Sequence, residues 1–172
     1  MRMLILSCSL SDRSRSRVLA QRAREVLEAD ATVNFMDLRD YPLPLCNGKT
    51  PDDPNLEALK TAITEADAIL LATPIYNYDV SAAAKNMVEQ TSRAWTEKTV
   101  AFVCAAGGGG SYMSVMPFAN SLMLDFRCLV VPRFVYTTGA AFDETLQLTD
   151  ERIRERCDEL CTEMLRLTRA LK

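Results

Sequence analysis

Apolar residues arrive along this chain in two alternating rhythms. Met3-Leu4-Ile5-Leu6 is an unbroken run inside Arg2–Ser7, the length of a buried strand. Val18, Leu19, Ala23, Val26 and Leu27 then recur at helical intervals and predict a helix over residues 14–29. Thr32-Val33-Asn34-Phe35-Met36 alternates as a second strand, and Leu56, Leu59, Ile63 and Ala66 mark a second helix. Ala68-Ile69-Leu70-Leu71-Ala72 predicts a third strand over residues 67–73, ended by Pro74. The alanine-rich stretch 82–95 reads as a third helix, and residues 99–105 as a fourth strand broken by Gly107-Gly108-Gly109-Gly110. A fourth helix begins near Ser111, with Pro117 kinking it or marking a later start. Residues 128–131 predict a fifth strand, continuing past Pro132 into Phe134-Val135-Tyr136. Thr149 or Asp150 caps a last helix striped by Ile153, Cys157, Leu160, Cys161, Met164, Leu167 and Leu171.

Strands apolar on both faces, alternating with amphipathic helices, predict an α/β domain with a parallel sheet covered on both sides. No composition break divides residues 1–172, so one domain is expected. The best topology is a three-layer sandwich with a five-stranded parallel sheet of order 2-1-3-4-5, whose ligand crevice lies between the first and third strands. The segment 37–54, with Pro42, Pro44, Gly48, Pro51 and Pro54, is long for a connection inside a compact domain.

Composition narrows the chemistry. The net charge of −3 disfavours nucleic acid, which needs a broad basic surface. No apolar run is long enough for a membrane span, and the N-terminus turns polar at Ser7, too soon for a signal peptide. The six cysteines (8, 46, 104, 128, 157 and 161) contain no CxxC pair and read as reduced core thiols of a cytosolic protein, not as a disulfide framework or metal site. There is no histidine, which removes Ser-His and Cys-His catalysis and every histidine-containing zinc site. The chemistry is expected to belong to a cofactor.

Three loops at the C-terminal ends of predicted strands carry it. The first is Ser9-Leu10-Ser11-Asp12-Arg13-Ser14-Arg15-Ser16-Arg17. A helix N-terminus attracts a phosphate, Ser9, Ser14 and Ser16 add hydroxyls, and Arg15 adds a charge-assisted bond. With no glycine it is neither a Walker loop nor a dinucleotide fingerprint, and it suits a terminal monophosphate such as that of FMN. The same residues serve equally as a helix cap followed by a solvated face of Arg13, Arg17, Arg22 and Arg24. In the second loop, Thr73-Pro74-Ile75-Tyr76-Asn77, backbone N–H groups from Ile75 to Asn77 would meet the pyrimidine edge of a flavin. The third, Ala106-Gly107-Gly108-Gly109-Gly110-Ser111, lets backbone pass close to a flat ligand.

At these residues the chain resembles the NAD(P)H-dependent FMN reductases, a flavodoxin-like family. The matches are Ser9, Ser14 to Arg17, Thr73 to Asn77, Lys85-Asn86 and Gly107 to Gly110, and the likeness spans roughly residues 1–140. The resemblance implies FMN, with its phosphate on Ser9, Ser14, Arg15 and Ser16 and its ring system against Pro74, Ile75, Tyr76, Asn77, Gly107, Gly108 and Gly109. It implies hydride transfer from NADPH or NADH to FMN and onward to a flavin, quinone or similar small molecule, with no catalytic side chain. The serine- and arginine-rich loop looks most like the branch that supplies flavin-dependent monooxygenases. The family's dimers and tetramers imply a homodimer or homotetramer joined through the third and fourth helices and the 38–54 loop. Two departures stand out: Cys8 where the family has glycine, which predicts a crowded phosphate approach, and Ser81-Ala82 in place of Pro-Gly. The alternatives are a flavodoxin-type electron carrier without nicotinamide turnover, and an interaction protein that has lost its cofactor.

Overall fold

A computed structural model describes residues 1–49 and 51–171; Thr50, within the long segment, and Lys172 lie outside the described residues. Parallel strands β1 (Arg2–Ser7), β2 (Thr32–Asp37), β3 (Ala68–Tyr76) and β5 (Thr99–Ala106) are joined to β6 (Leu129–Val130), β7 (Val135–Thr138) and the short β4 (Asp79–Val80) in one sheet. The order is β2-β1-β3-β5-β6, with β7 also on β5 and β4 antiparallel to β3. β6 pairs with Thr99 and Val100 and β7 with Val103 to Ala106, so the two occupy the fifth position in series. The expected order 2-1-3-4-5 and flavodoxin-like fold therefore hold, in a sheet of seven strands, not five.

Prolines account for the differences. Pro132 sits in the gap between β6 and β7, where it removes a ladder donor. Pro74 does not end β3: the strand runs on to Tyr76, pairs Pro74 with Ala105, and folds back as a hairpin into β4. Cys8 N–H bonds the Ala72 carbonyl at 2.8 Å, so the next rung of that parallel ladder would run from residue 74 to the Cys8 carbonyl. Proline has no N–H to give. The Ser81 hydroxyl donates to that carbonyl instead, at 2.8 Å. Pro117 marks the later start of a helix, as the second residue of α4 (Met116–Phe126).

Side chains on each strand alternate between two apolar layers. Leu4, Leu6, Ile69, Leu71, Phe102 and Cys104 face one core with α2 (Pro54–Glu65), α3 (Ala82–Thr91) and α4. Met3, Ile5, Leu70, Ala101 and Val103 face another with α1 (Arg15–Leu27) and α5 (Glu151–Ala170). α3 is shorter than expected, giving way at Ser92–Trp95 to a 3-10 turn. Trp95 there is fully buried, its indole N–H on Thr91 Oγ1 at 2.7 Å, and is a core residue. Cys8, Cys104, Cys128, Cys157 and Cys161 are buried, as expected of core thiols, whereas Cys46, on the long segment outside the sheet, is only half-buried. Cys157→Ala is expected to leave FMN binding unchanged and to lower only the unfolding temperature, in a thermal melt run beside a flavin titration. No group of three or more possible metal-ligating side chains forms among the described residues.

Candidate functional site

The ends of β1, β3 and β5 and the start of α1 enclose a cleft of about 650 Å³. It lies at the β1/β3 switch point, where an open α/β sheet binds its ligand. Ser9, Ser14, Arg15, Ser16, Pro74, Ile75, Tyr76, Asn77, Gly107 and Gly108 all line it. Ten of the eleven expected residues are thus brought together; Gly109 is outside the lining. Arg13, Tyr78, Ala105, Ala106, Gly110 and Ser111 join them. The two charged residues of the lining, Arg13 and Arg15, are both cationic.

Ser14 is the N-cap of α1: its hydroxyl accepts from Arg17 N–H at 3.1 Å and lies 3.1 Å from Ser16 Oγ. The N–H groups of Arg15 and Ser16, in the first helical turn, have no intrahelical acceptor. The helix-cap reading of this loop is realised, and the cap geometry leaves free donors at the positive end of the helix. The solvated arginine face is only partly present. Arg13 donates to the Glu144 carbonyl at 3.0 Å, and Arg22 forks onto Asp158 of α5 at 2.6 and 2.8 Å. Arg17 is half-buried, with Nε 2.8 Å from Asp37 Oδ2. Arg15 is exposed and lies flat on Gly139, where a Cβ would come within 3.1 Å of its Cζ.

Across the cleft, β3 turns over at Asn77-Tyr78, both with positive φ (50° and 64°). This is a two-residue hairpin turn of type I′, in which asparagine is favoured at the first position. Tyrosine at the second costs about 1 kcal/mol, and it fixes an exposed aromatic ring at the mouth. Exposed Tyr76 precedes it. Ile75, by contrast, is buried and forms part of the cleft floor. The glycine loop is tied down: the Tyr136 hydroxyl bonds the Gly108 carbonyl and meets Ser111 Oγ at 2.7 Å. Tyr112 packs edge-on against Tyr136 and rests on Phe134. A Cβ on Gly107, Gly108 or Gly109 would meet nothing within 4 Å, so these glycines leave open space rather than relieve a clash within the chain.

The family model for NADPH-dependent FMN reductase matches residues 1–143. This chain belongs to that family. It is 30% identical over 162 residues to an NAD(P)H-dependent FAD/FMN reductase of Geobacillus thermodenitrificans, covering 91% of this chain and 85% of the relative. It is 32% identical over 164 residues to an NAD(P)H:quinone oxidoreductase of Solanum tuberosum, covering 86% and 82%. Among solved structures, the flavoenzyme NAD(P)H:(acceptor) oxidoreductase FerB of Paracoccus denitrificans superposes with a TM-score of 0.73 at 20% identity, covering 96% of this chain and 97% of that one.

The departures from the FMN reductase pattern resolve in the structure. Cys8 does not crowd the cleft: its side chain is fully buried among Leu6, Met36 and Leu71 and is absent from the lining. Ser81 caps α3, accepting from Ala84 N–H at 3.3 Å. Asn86 faces the long segment, accepting from Cys46 N–H at 2.8 Å and donating to the Pro44 carbonyl at 3.0 Å. Its role is to hold that segment against α3. Of the lining, Tyr78 and Ala105 lie outside the three loops read from the sequence, and the small residues that end β5 were the legible signal for Ala105.

Proposed function

We propose that the chain is an NAD(P)H-dependent FMN reductase that binds FMN in the β1/β3 cleft, its phosphate on Ser9, Ser14, Arg15 and Ser16. The observation that carries this reading is a cleft whose charges are two arginines at a helix N-terminus, in a chain of the FMN reductase family. A dianionic phosphate fits that donor set, and the apolar wall of Pro74, Ile75, Ala105 and Ala106 fits a flat ring. Bound FMN supplies the redox chemistry, accepting hydride from reduced nicotinamide and reducing a second substrate. The chain orients. Pro74 to Asn77 and the glycine loop hold the ring edge, Tyr76 and Tyr78 shield the open side, and the missing histidine is no loss where no side chain moves a proton.

The second substrate in this reading is a flavin or quinone, and reduced flavin is also of use to a monooxygenase. No helix among the described residues is long and apolar enough to cross a membrane, and the buried free thiols fit a reducing cytoplasm. A homodimer or homotetramer across α3, α4 and the 38–54 segment is supported by exposed Tyr112, Met113, Met116, Met123 and Leu124 on and before α4, and by Leu45.

The test is a visible spectrum of the protein with added FMN, repeated anaerobically after adding NADPH and then NADH. A perturbed flavin spectrum that bleaches is expected. Binding without bleaching by either nucleotide would leave an electron carrier, and no binding would leave the fold without the enzyme. At Asn77, glycine keeps the positive φ and removes only the amide, so Asn77→Gly should melt within about 1 kcal/mol of the parent and bind FMN several-fold more weakly. Parent-like affinity would reduce Asn77 to turn chemistry.

A further inference from the structure

Below the phosphate loop lies an ion cluster that does not touch the cleft. Asp37, the last residue of β2, is buried. Arg39 grips it with Nε on Oδ1 and Nη2 on Oδ2, both at 3.1 Å, and with its backbone N–H at 3.1 Å. Burial alone would push the Asp37 carboxyl up, but the Arg39 hydrogen bonds and the Arg17 and Arg39 charges outweigh it and hold the group below the ordinary range. Asp37 is thus a fixed anion. Arg17 Nε sits 2.8 Å from its Oδ2 without hydrogen-bond alignment, so that contact is ionic.

The other end of the Arg17 guanidinium reaches the loop before α1. Nη2 donates to the Ser11 carbonyl at 2.7 Å and Nη1 reaches the Asp12 carbonyl at 3.5 Å. Arg39 Nη1 meets the Asp12 carboxylate at 3.4 Å, outside the same loop. The loop from Ser9 to Arg13 has no glycine, so its shape is not set by a permissive residue. An anion site made of N–H groups requires the neighbouring carbonyls to point elsewhere, since each carbonyl oxygen aimed inward would repel the phosphate. Arg17 captures two of those carbonyls on the side away from the cleft. It is absent from the cleft lining, as are Asp37 and Arg39.

We propose that Arg17, anchored on Asp37, is a positioning residue for the cofactor phosphate: it holds the Ser11 and Asp12 carbonyls off the anion and so sets the preference for FMN over unphosphorylated flavin. This rests on the FMN reading above. Both flavins share the ring system, so only groups acting through the phosphate can separate them.

The experiment is titration of apoprotein with FMN and with riboflavin, for the parent, Arg17→Met and Asp37→Asn, each checked by thermal melt. The parent is expected to prefer FMN. Arg17→Met keeps the apolar stem and should weaken FMN binding by about 10- to 100-fold, the scale of charge-assisted hydrogen bonds, with riboflavin moved less than about threefold. Asp37→Asn, which leaves Arg17 present but loosely anchored, should lower the same ratio by a smaller factor, and it decides the matter if Arg17→Met does not fold. Equal weakening of both flavins, or an unchanged ratio, would overturn the positioning role. A parent with no preference for FMN would instead overturn the phosphate site itself, and the two failures are distinct.

Discussion

Replacing Ser14 and Arg15 together by alanine is expected to weaken FMN binding by about 2–4 kcal/mol, roughly 30- to 1,000-fold. Two different losses contribute. Arg15 is exposed and rests on Gly139, so its guanidinium contributes little to the fold and its removal subtracts chiefly a cation from the cleft. Ser14 has a double role, because its hydroxyl caps α1 through Arg17 N–H while lining the cleft. Its alanine variant should cost about 1 kcal/mol of stability as well. Isothermal titration with FMN, beside a thermal melt, separates the two. Unchanged affinity would remove these residues from the phosphate site.

The second large effect is on stability. Ser81→Val should destabilise the protein by about 2–4 kcal/mol, a fall in unfolding temperature of roughly 5–12 °C for a chain of this size. The hydroxyl of Ser81 meets three demands. It donates to the Cys8 carbonyl that Pro74 leaves without a ladder partner, accepts from Ala84 N–H at the start of α3, and lies 3.5 Å from Thr73 Oγ1. Valine has no hydroxyl, so it strands a buried carbonyl and leaves the helix uncapped. Because Cys8 leads directly into Ser9, part of the loss should also appear as weaker FMN binding. A melt within 1 °C of the parent would mean that water replaces the hydroxyl at little cost.

Periodicity located the layers because α1, α2 and α5 present clear apolar stripes, and because β1, β3 and β5 are apolar on both faces. It misplaced the end of β3 because proline was read as a terminator. At residue 74 the missing N–H faces the Cys8 carbonyl just past the end of β1, where the Ser81 hydroxyl takes its place, and β5 alone carries the strand pairing onward. The type I′ turn was hidden by its second residue, since tyrosine is not what that φ asks for. In the site, residues that touch the cleft by virtue of their own loop were legible from Ser9, Ser14 to Ser16 and Thr73 to Asn77. What local reading could not give were the long-range partners: Tyr136 on Gly108, Asp37 beneath Arg17, and Gly139 under Arg15. Each lies at least 20 residues from its partner, and no motif spacing encodes such a contact.

The burial of the thiols bears on how such a protein would age. Reduced flavin that is reoxidised by oxygen yields peroxide, and peroxide attacks thiolates, not thiols. Desolvation pushes Cys104, Cys157 and Cys161 up to about 12 and Cys128 to about 11, while burial and the nearby Asp37 raise Cys8 further still. At pH 7 a group with a pKa of 12 is ionised about once in 10⁵ molecules. Half-buried Cys46, on the segment that Asn86 pins to α3, is then the one sulfur of the six within reach of solvent. Thiol oxidation would fall there first, away from the cleft, and leave the core thiols that support the strands intact through many turnovers.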